Sequence, residues 1–387
     1  MARRQWDFYG ALGRRKDQIA ILEEALVLAE AAEDADRQSQ VACLQGVTDW
    51  RTGDYEAAHA KAEKALALAR EAGSRQWEAN ALHTLGAVVR HWGEFEACAR
   101  HWREALAIRQ EIGDRHGEAR SLASLGTVMP DLGEAEGAVE AKEQALSIFR
   151  ELGDLRGECA MLNNIGNTLV AHRRIREAAE RFEEAIRLAR VLGNPGAEGH
   201  PTCNLGRAYV SLGRMAEAQE SLERALEIFR ETRMQSGVLD VLRALGEAHQ
   251  AYGHHDSAIA AFEEGLGLAD ASGLKPVQCE FETSLASALH AAGRRAEAWA
   301  SFERARHLAE ELESHSRQHQ ILVQMGLAAL KEEDHELAVR TWEQATAVVP
   351  RADLDAEDTV LARCRLGRAL HLAGRREDAL EAVKPCL

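Results

Sequence analysis

Residues 85–106 read LGAVVRHWGEFEACARHWREAL and residues 205–226 read LGRAYVSLGRMAEAQESLERAL. Both carry a Leu-Gly, a second Gly seven residues on, a small residue five beyond that, and an Ala-Leu pair after seven more. Extending in both directions, the first marker recurs at Gly46, Gly86, Gly126, Gly166, Gly206, Gly246, Ala286, Gly326 and Gly367, at a spacing of 40 with one slip to 41. The second Gly keeps step at Gly13, Gly53, Gly93, Gly133, Gly213, Gly253, Gly293 and Gly374, with Arg173 and Glu333 filling the slot elsewhere. The small residue runs through Ala58, Cys98, Ala138, Ala178, Ala218, Ala258, Ala298, Ala338 and Ala379. Several series in one register mean a repeat protein, and the period fixes the architecture.

A Gly ahead of a helix-forming stretch closes one helix in a conformation that Cβ-bearing residues avoid. Each 40-mer therefore predicts two antiparallel helices. Small residues such as Gly46, Ala58 and Ala65 let the pair approach closely. Leu85, Leu125, Ile165 and Leu205 on the first helix, and Trp102, Phe182, Leu222, Phe262, Phe302 and Trp342 on the second, fill the space. Such a hairpin buries its face only by stacking on neighbours. The expected fold is all-α, a right-handed α-solenoid of about nine to ten hairpins forming a single superhelix over residues 1–387.

Composition narrows the function. The chain has 387 residues, 47 basic against 63 acidic side chains and a net charge of −16, the wrong sign for broad phosphate neutralisation, so no nucleic-acid partner is expected. No apolar run approaches the ~18 residues of a membrane span, and no signal-peptide core follows the N-terminus, which predicts a soluble, cytoplasmic protein with no membrane partner. Seven Cys without a Cys-x-x-Cys pair argue against a disulfide framework.

The Leu-Gly of the first helix (85–86, 125–126, 205–206, 245–246), the Gly-Asp-Tyr-Glu-Ala-Ala of residues 53–58 and the Ala-Leu of 65–66 resemble the tetratricopeptide repeat family. The 40-residue unit is similar to its long-repeat subclass, found in Pins/LGN spindle adaptors, kinesin light chains and the sensor arms of bacterial regulators. The resemblance implies a binding surface rather than chemistry. In the family the first helix of each hairpin lines a concave groove, at positions six and three before the marker and one, four and five after it. Over these positions the sequence carries eight cations (Arg3, Arg51, Arg90, Arg120, Arg207, Arg243, Lys331, Arg368) against five carboxylates (Asp7, Asp131, Asp240, Glu247, Glu280). Arg forks recognise carboxylates and phosphates through paired hydrogen bonds, and Asn side chains bond an extended backbone in any sequence context. The candidate peptide-binding residues are Trp50, Arg51, His83, Arg90, Arg120, Asn163, Asn167, Asn204, Arg207 and Arg243. The family's chaperone clamp is not implied, because Asn163 stands in a Lys slot and Asp240 and Ala244 stand where Lys and Arg would.

Irregular places mark joints and ends. GNPGAEGHPTC (193–203) carries Pro195 and Pro201, the latter where other repeats have helix interior, which predicts a kink or late helix start. It reads either as a local loop or as a hinge dividing 1–192 from 204–387. Pro130 falls near the end of a first helix, and Gly265 and Gly267 are expected to weaken a second helix. The pattern opens with a helix already under way, Trp6 standing where Gly46 stands later, and stops inside a second helix. Those ends read as a missing flanking domain or as a docking end for self-association.

Catalytic patterns are lacking: no phosphate loop, nucleophile elbow or paired metal-ligand motif occurs, and no cofactor or metal is expected. His315, His319 and Glu311 have weak metal spacing across a helix junction, and Cys43 and Cys203 are potential groove thiols. The sequence thus predicts a non-catalytic scaffold or adaptor holding an acidic or extended protein segment. The alternative is the sensor arm of a larger regulator that responds to a small molecule or peptide.

Overall fold

The computed structural model describes residues 15–349 and 356–384. The expectations for Arg3, Trp6, Asp7, Gly13 and Cys386 lie outside them. All regular structure among the described residues is helical. The chain divides into two compact units, Met1–Gly193 and Asn194–Leu387.

In the first unit α1 (Arg15–Ala31) precedes four hairpins: α2 (Ala35–Thr52) with α3 (Tyr55–Glu71), α4 (Arg75–His91) with α5 (Phe95–Glu111), α6 (Arg115–Val128) with α7 (Ala135–Glu151), and α8 (Leu155–Ala171) with α9 (Ile175–Val191). The second unit holds five: α10 (Pro195–Ser211) with α11 (Met215–Glu231), α12 (Gln235–Ala251) with α13 (His255–Ala271), α14 (Lys275–Ala291) with α15 (Arg295–Glu311), α16 (His315–Lys331) with α17 (His335–Val348), and α18 (Ala356–Leu372) with α19 (Arg376–Val383).

Most helices are 17 residues long and are joined by three-residue turns. The turn chemistry is the same between hairpins as within them. At Gly53, in the left-handed region at φ 85°, the amide donates to the Trp50 carbonyl and the next amide to Asp49, satisfying the exposed carbonyls of the helix end. Gly73 repeats the pair between hairpins, with Gly73 donating to Arg70 and Ser74 to Ala69. Where Arg173, Arg233 or Glu333 occupies this slot the backbone is still left-handed, so the geometry is imposed by the flanking helices rather than by the residue. Asp54, Asp114, Asp154 and Asp334 then cap the following helix by accepting an amide hydrogen bond.

The marker Gly receives the side chain sixteen residues later. A Cβ on Gly86 would lie 2.4 Å from Trp102, on Gly166 2.4 Å from Phe182, on Gly246 2.2 Å from Phe262 and on Gly326 2.6 Å from Trp342. These rings are fully or almost fully buried. At roughly 25 cal/mol per Å² of apolar surface, each contributes a large share of its hairpin's stability.

Two expectations are corrected, and the placement of Pro130 near the end of a first helix holds. The stretch at 193–203 is no late start, since α10 begins at Pro195 with Asn194 as its cap and runs unbroken past Pro201. One missing amide is tolerated because packing holds the helix: Pro201 is buried with its neighbours Thr202 and Cys203. Gly265 is required rather than weakening, because a Cβ there would meet the Phe281 ring at 2.2 Å. Pro130 ends α6 one turn early and opens a short 3₁₀ turn over Pro130–Leu132.

Candidate functional site

In the second unit the first helices form an inner row, α10 touching α12, α12 touching α14 and α14 touching α16, and at the start of the first unit α2 touches α4 in the same way, a closeness that no pair of second helices reaches. The positions after each marker Gly stay open to solvent on this row, as at Arg90, Asn167 and Glu247. The position three before the marker is buried in two repeats and half-buried or exposed in the others. Cys43 and Cys203 occupy it and are 3% and 5% exposed, and burial pushes the Cys203 thiol up to about 11. They are core fillers, not groove thiols.

Seven of the ten candidate residues fall in the first unit. Trp50 at the end of α2 is 40% exposed with Arg51 beside it, Arg90 and Arg120 are exposed on α4 and α6, and Asn163 and Asn167 lie one turn apart on α8. Arg90 forms no ion pair among the described residues. His83 is half-buried on α4. Its ring packs on Trp102 at 5.9 Å between centroids, its carbonyl accepts the Trp102 indole N–H at 3.0 Å, and burial beside Arg120 and Arg109 holds its pKa well below the ordinary value. It is a neutral residue at pH 7.

Asn204, Arg207 and Arg243 fall in the second unit, where neighbours already engage both cations. Arg207 donates to the Asp240 carbonyl at 3.1 Å, and Arg243 lies 3.5 Å from the Asp240 carboxylate and 3.2 Å from that of Glu247. Arg317 bonds Glu280 at 3.1 Å in the same row. A cleft of about 290 Å³ opens there, lined by Arg243, Glu247, Glu280, Thr283, Arg317 and Gln320. It carries both signs of charge.

Two functional candidates escaped sequence reasoning. Lys142 on α7 occupies the slot that Trp102, Phe182, Leu222 and Phe262 fill elsewhere. It is 6% exposed, and its ammonium donates to Thr168 Oγ1 at 2.6 Å. Burial lowers its pKa to about 8, with Arg90 adding to the effect. Arg109 on α5 is completely buried in a slot held by Ala69, Phe149, Ala189, Phe229, Ala269 and Ala309 in other hairpins. It donates to the Gly117 carbonyl at 3.0 Å, Ser121 Oγ at 2.6 Å and Asn80 Oδ1 at 3.2 Å, while its Nε has no partner. Burial, then the nearby Arg120, lowers its pKa to about 10. Both were detectable as charged residues breaking an apolar series.

The metal spacing dissolves in three dimensions. His319 is buried with Nδ1 3.2 Å from the Ala345 carbonyl, and no cluster of three potential ligands occurs among the described residues. No helix among them is long and apolar enough to cross a membrane.

Two family models, each described as Tetratricopeptide repeat, match residues 77–151 and 199–271, and residues 159–202. Tetratricopeptide repeats are thus recognised over residues 77–151, 159–202 and 199–271. No curated protein matches it significantly. Among solved structures it resembles the apo form of RapI, at 15% identity and a TM-score of 0.69, covering 90% of this chain and 97% of that one. It also resembles a Rap protein complexed with Competence and Sporulation Factor, at 16% identity and a TM-score of 0.59, covering 92% and 98%. A third is a Signal Transduction ATPase with Numerous Domains from Pyrococcus horikoshii, which carries a tetratricopeptide repeat sensor. There the identity is 14%, the TM-score 0.62 and the coverage 90% of this chain but 52% of that protein. At these identities the likeness is one of fold.

Proposed function

We propose that this tetratricopeptide repeat chain is a non-catalytic scaffold whose inner first-helix row holds an extended, acidic segment of a partner, chiefly through the first unit. The observation that carries this reading is the asymmetry in charge balance along the row. Arg90 is exposed on this row with no ion pair among the described residues, whereas Arg243 is paired with the carboxylates of Asp240 and Glu247. Asn163 and Asn167 add donors and acceptors for a guest backbone. A Rap protein of similar fold is complexed with Competence and Sporulation Factor, which agrees with a guest on this scaffold.

Fluorescence anisotropy with a labelled Glu-rich extended peptide tests it. Arg90→Glu should weaken binding about tenfold and flatten its salt dependence, and Arg243→Glu by less than about threefold, since Arg243 gives up an existing pair. Equal affinity for wild type and Arg90→Glu removes the reading.

A sensor-arm role is the second reading. It rests on the repeats forming a sensor within the larger ATPase. Thermal stabilisation by a small molecule with no captured protein segment would favour it.

A further inference from the structure

Every second-helix core slot in a repeat protein is free to be apolar, and most here are. In the slot of Lys142 the other hairpins place Ala62, Trp102, Phe182, Leu222, Phe262, Phe302 and Trp342, all buried. In the slot of Arg109 they place Ala69, Phe149, Ala189, Phe229, Ala269, Ala309 and Val349, again all buried. A cation in such a place costs stability, and an apolar replacement of similar volume is often neutral or better. The two exceptions sit in adjacent hairpins of the first unit.

Each exception also comes with a tailored neighbour. Lys142 bonds Thr168; among the equivalent positions Thr48 also carries a hydroxyl, there opposite the apolar Leu22, while Val88, Val128, Ala208, Ala248, Ala288 and Ala328 are apolar. Arg109 bonds Ser121, where other hairpins carry Ala81, Met161, Val241, Phe281 and Ile321. Both partners are hydroxyls, which satisfy hydrogen bonds without neutralising charge. Neither cation forms an ion pair with a carboxylate among the described residues, and the Arg109 Nε is buried and unpartnered. The Lys142 charge is therefore solvated by the fold but left in place, while the Asp114 carboxylate lies close enough to Arg109 to offset part of its charge.

That charge lies beneath the inner row. Arg109 donates to the side-chain oxygen of Asn80 on α4, and Arg120 is close enough to act on both Arg109 and His83. Lys142 lies under Gly126 on α6, within electrostatic reach of Arg90. We infer that the inner face of α4 and α6 is an anion-binding centre for carboxylate or phosphate groups of the guest, with Arg109 and Lys142 as fixed positioning charges beneath Asn80, Arg120 and Arg90. This deepens the proposed groove function and rests on it for the guest, but the anion centre is testable alone. A low-dielectric setting makes such a charge act more strongly on a docked anion than a surface charge would.

The test uses the full chain and two variants patterned on its own repeats: Arg109→Phe with Ser121→Ala, since Phe149 and Phe229 pack against Gly157 and Gly237 as this Phe would against Gly117, and Lys142→Leu, since Leu222 fills that slot. Three probes differ at two positions of one extended peptide: Glu, phosphoserine or Gln. Wild type should bind the Glu or phosphoserine peptide at least tenfold tighter than the Gln peptide, and each variant should lose at least threefold of that preference while remaining folded. A preference for Glu assigns the guest group as carboxylate, and for phosphoserine as phosphoryl. A merely structural role would alter stability and leave the ratio of charged to Gln peptide unmoved; that outcome overturns the inference. If no peptide binds, the groove reading fails, and inorganic phosphate decides the centre by itself. Phosphate against chloride at matched ionic strength should raise the wild-type Tm by at least about 2 °C more than that of either variant. Equal increments in all three proteins overturn it.

Discussion

The two units share one backbone repeat and treat charge in opposite ways. In the second unit two first-helix cations are matched by carboxylates, Arg243 with Asp240 and Glu247 and Arg317 with Glu280, and the slot beneath Gly246 is filled by Phe262. In the first unit the equivalent slot beneath Gly126 holds Lys142, and Arg109 replaces the apolar residue, Ala, Phe or Val, of the other hairpins. The second unit resembles a protein optimised for its own stability, while the first sacrifices some to keep positive charge under a solvent-facing row. Departures from local consistency of this kind mark functional places.

The comparison breaks most visibly by moving the cation. Phe262→Lys places an ammonium where the residue facing it is Ala288 rather than a Thr, and also removes a buried ring. It should cost more than about 4 kcal/mol in chemical denaturation, concentrated in the second unit. A loss below about 1 kcal/mol would mean the slot accepts Lys anywhere, and Lys142 would carry no message.

The reverse change is smaller and has a pH signature. Lys142 has a folded pKa of about 8 against an ordinary value of 10.5. Below pH 8 both states are protonated and the folded state bears the full cost of burial. Between pH 8 and 10.5 the unfolded chain binds the extra proton, so wild-type stability gains as pH rises. Lys142→Leu removes that dependence. It should be more stable than wild type by up to roughly 3 kcal/mol at pH 7, with the advantage shrinking above pH 8. A constant difference across that range would show that the ammonium is not the costly part.

Much of this molecule was legible in its sequence. The hairpins, the turn at Gly53 and the packing of large side chains against the marker Gly follow from spacing alone, because a solenoid repeats the same local problem. The turns between hairpins were harder to see. Gly73, Gly113 and Gly153 follow the same rule, but Glu33, Arg233 and Glu313 occupy three of those slots with left-handed backbones, which hides the series. Pro201 misled because one lost hydrogen bond weighs less than a fully packed helix. The candidate site was legible only as a face. Arg90, Arg120, Asn163 and Asn167 were recognisable from register, but the engagement of Arg207 and Arg243 depends on distances no register supplies. Lys142 and Arg109 sit in Glu-rich helices where a charged residue normally means a wet surface. Only their phase, matched against Trp102 and Phe149, distinguishes them.

Cross-linking tests the central claim most directly. A Glu-rich extended peptide with a photoreactive group at its centre, irradiated on the full chain and mapped by mass spectrometry, should label the inner face of α4, α6 and α8. Labelling confined to the inner face of α12, α14 and α16, or to the second helices, would contradict the account.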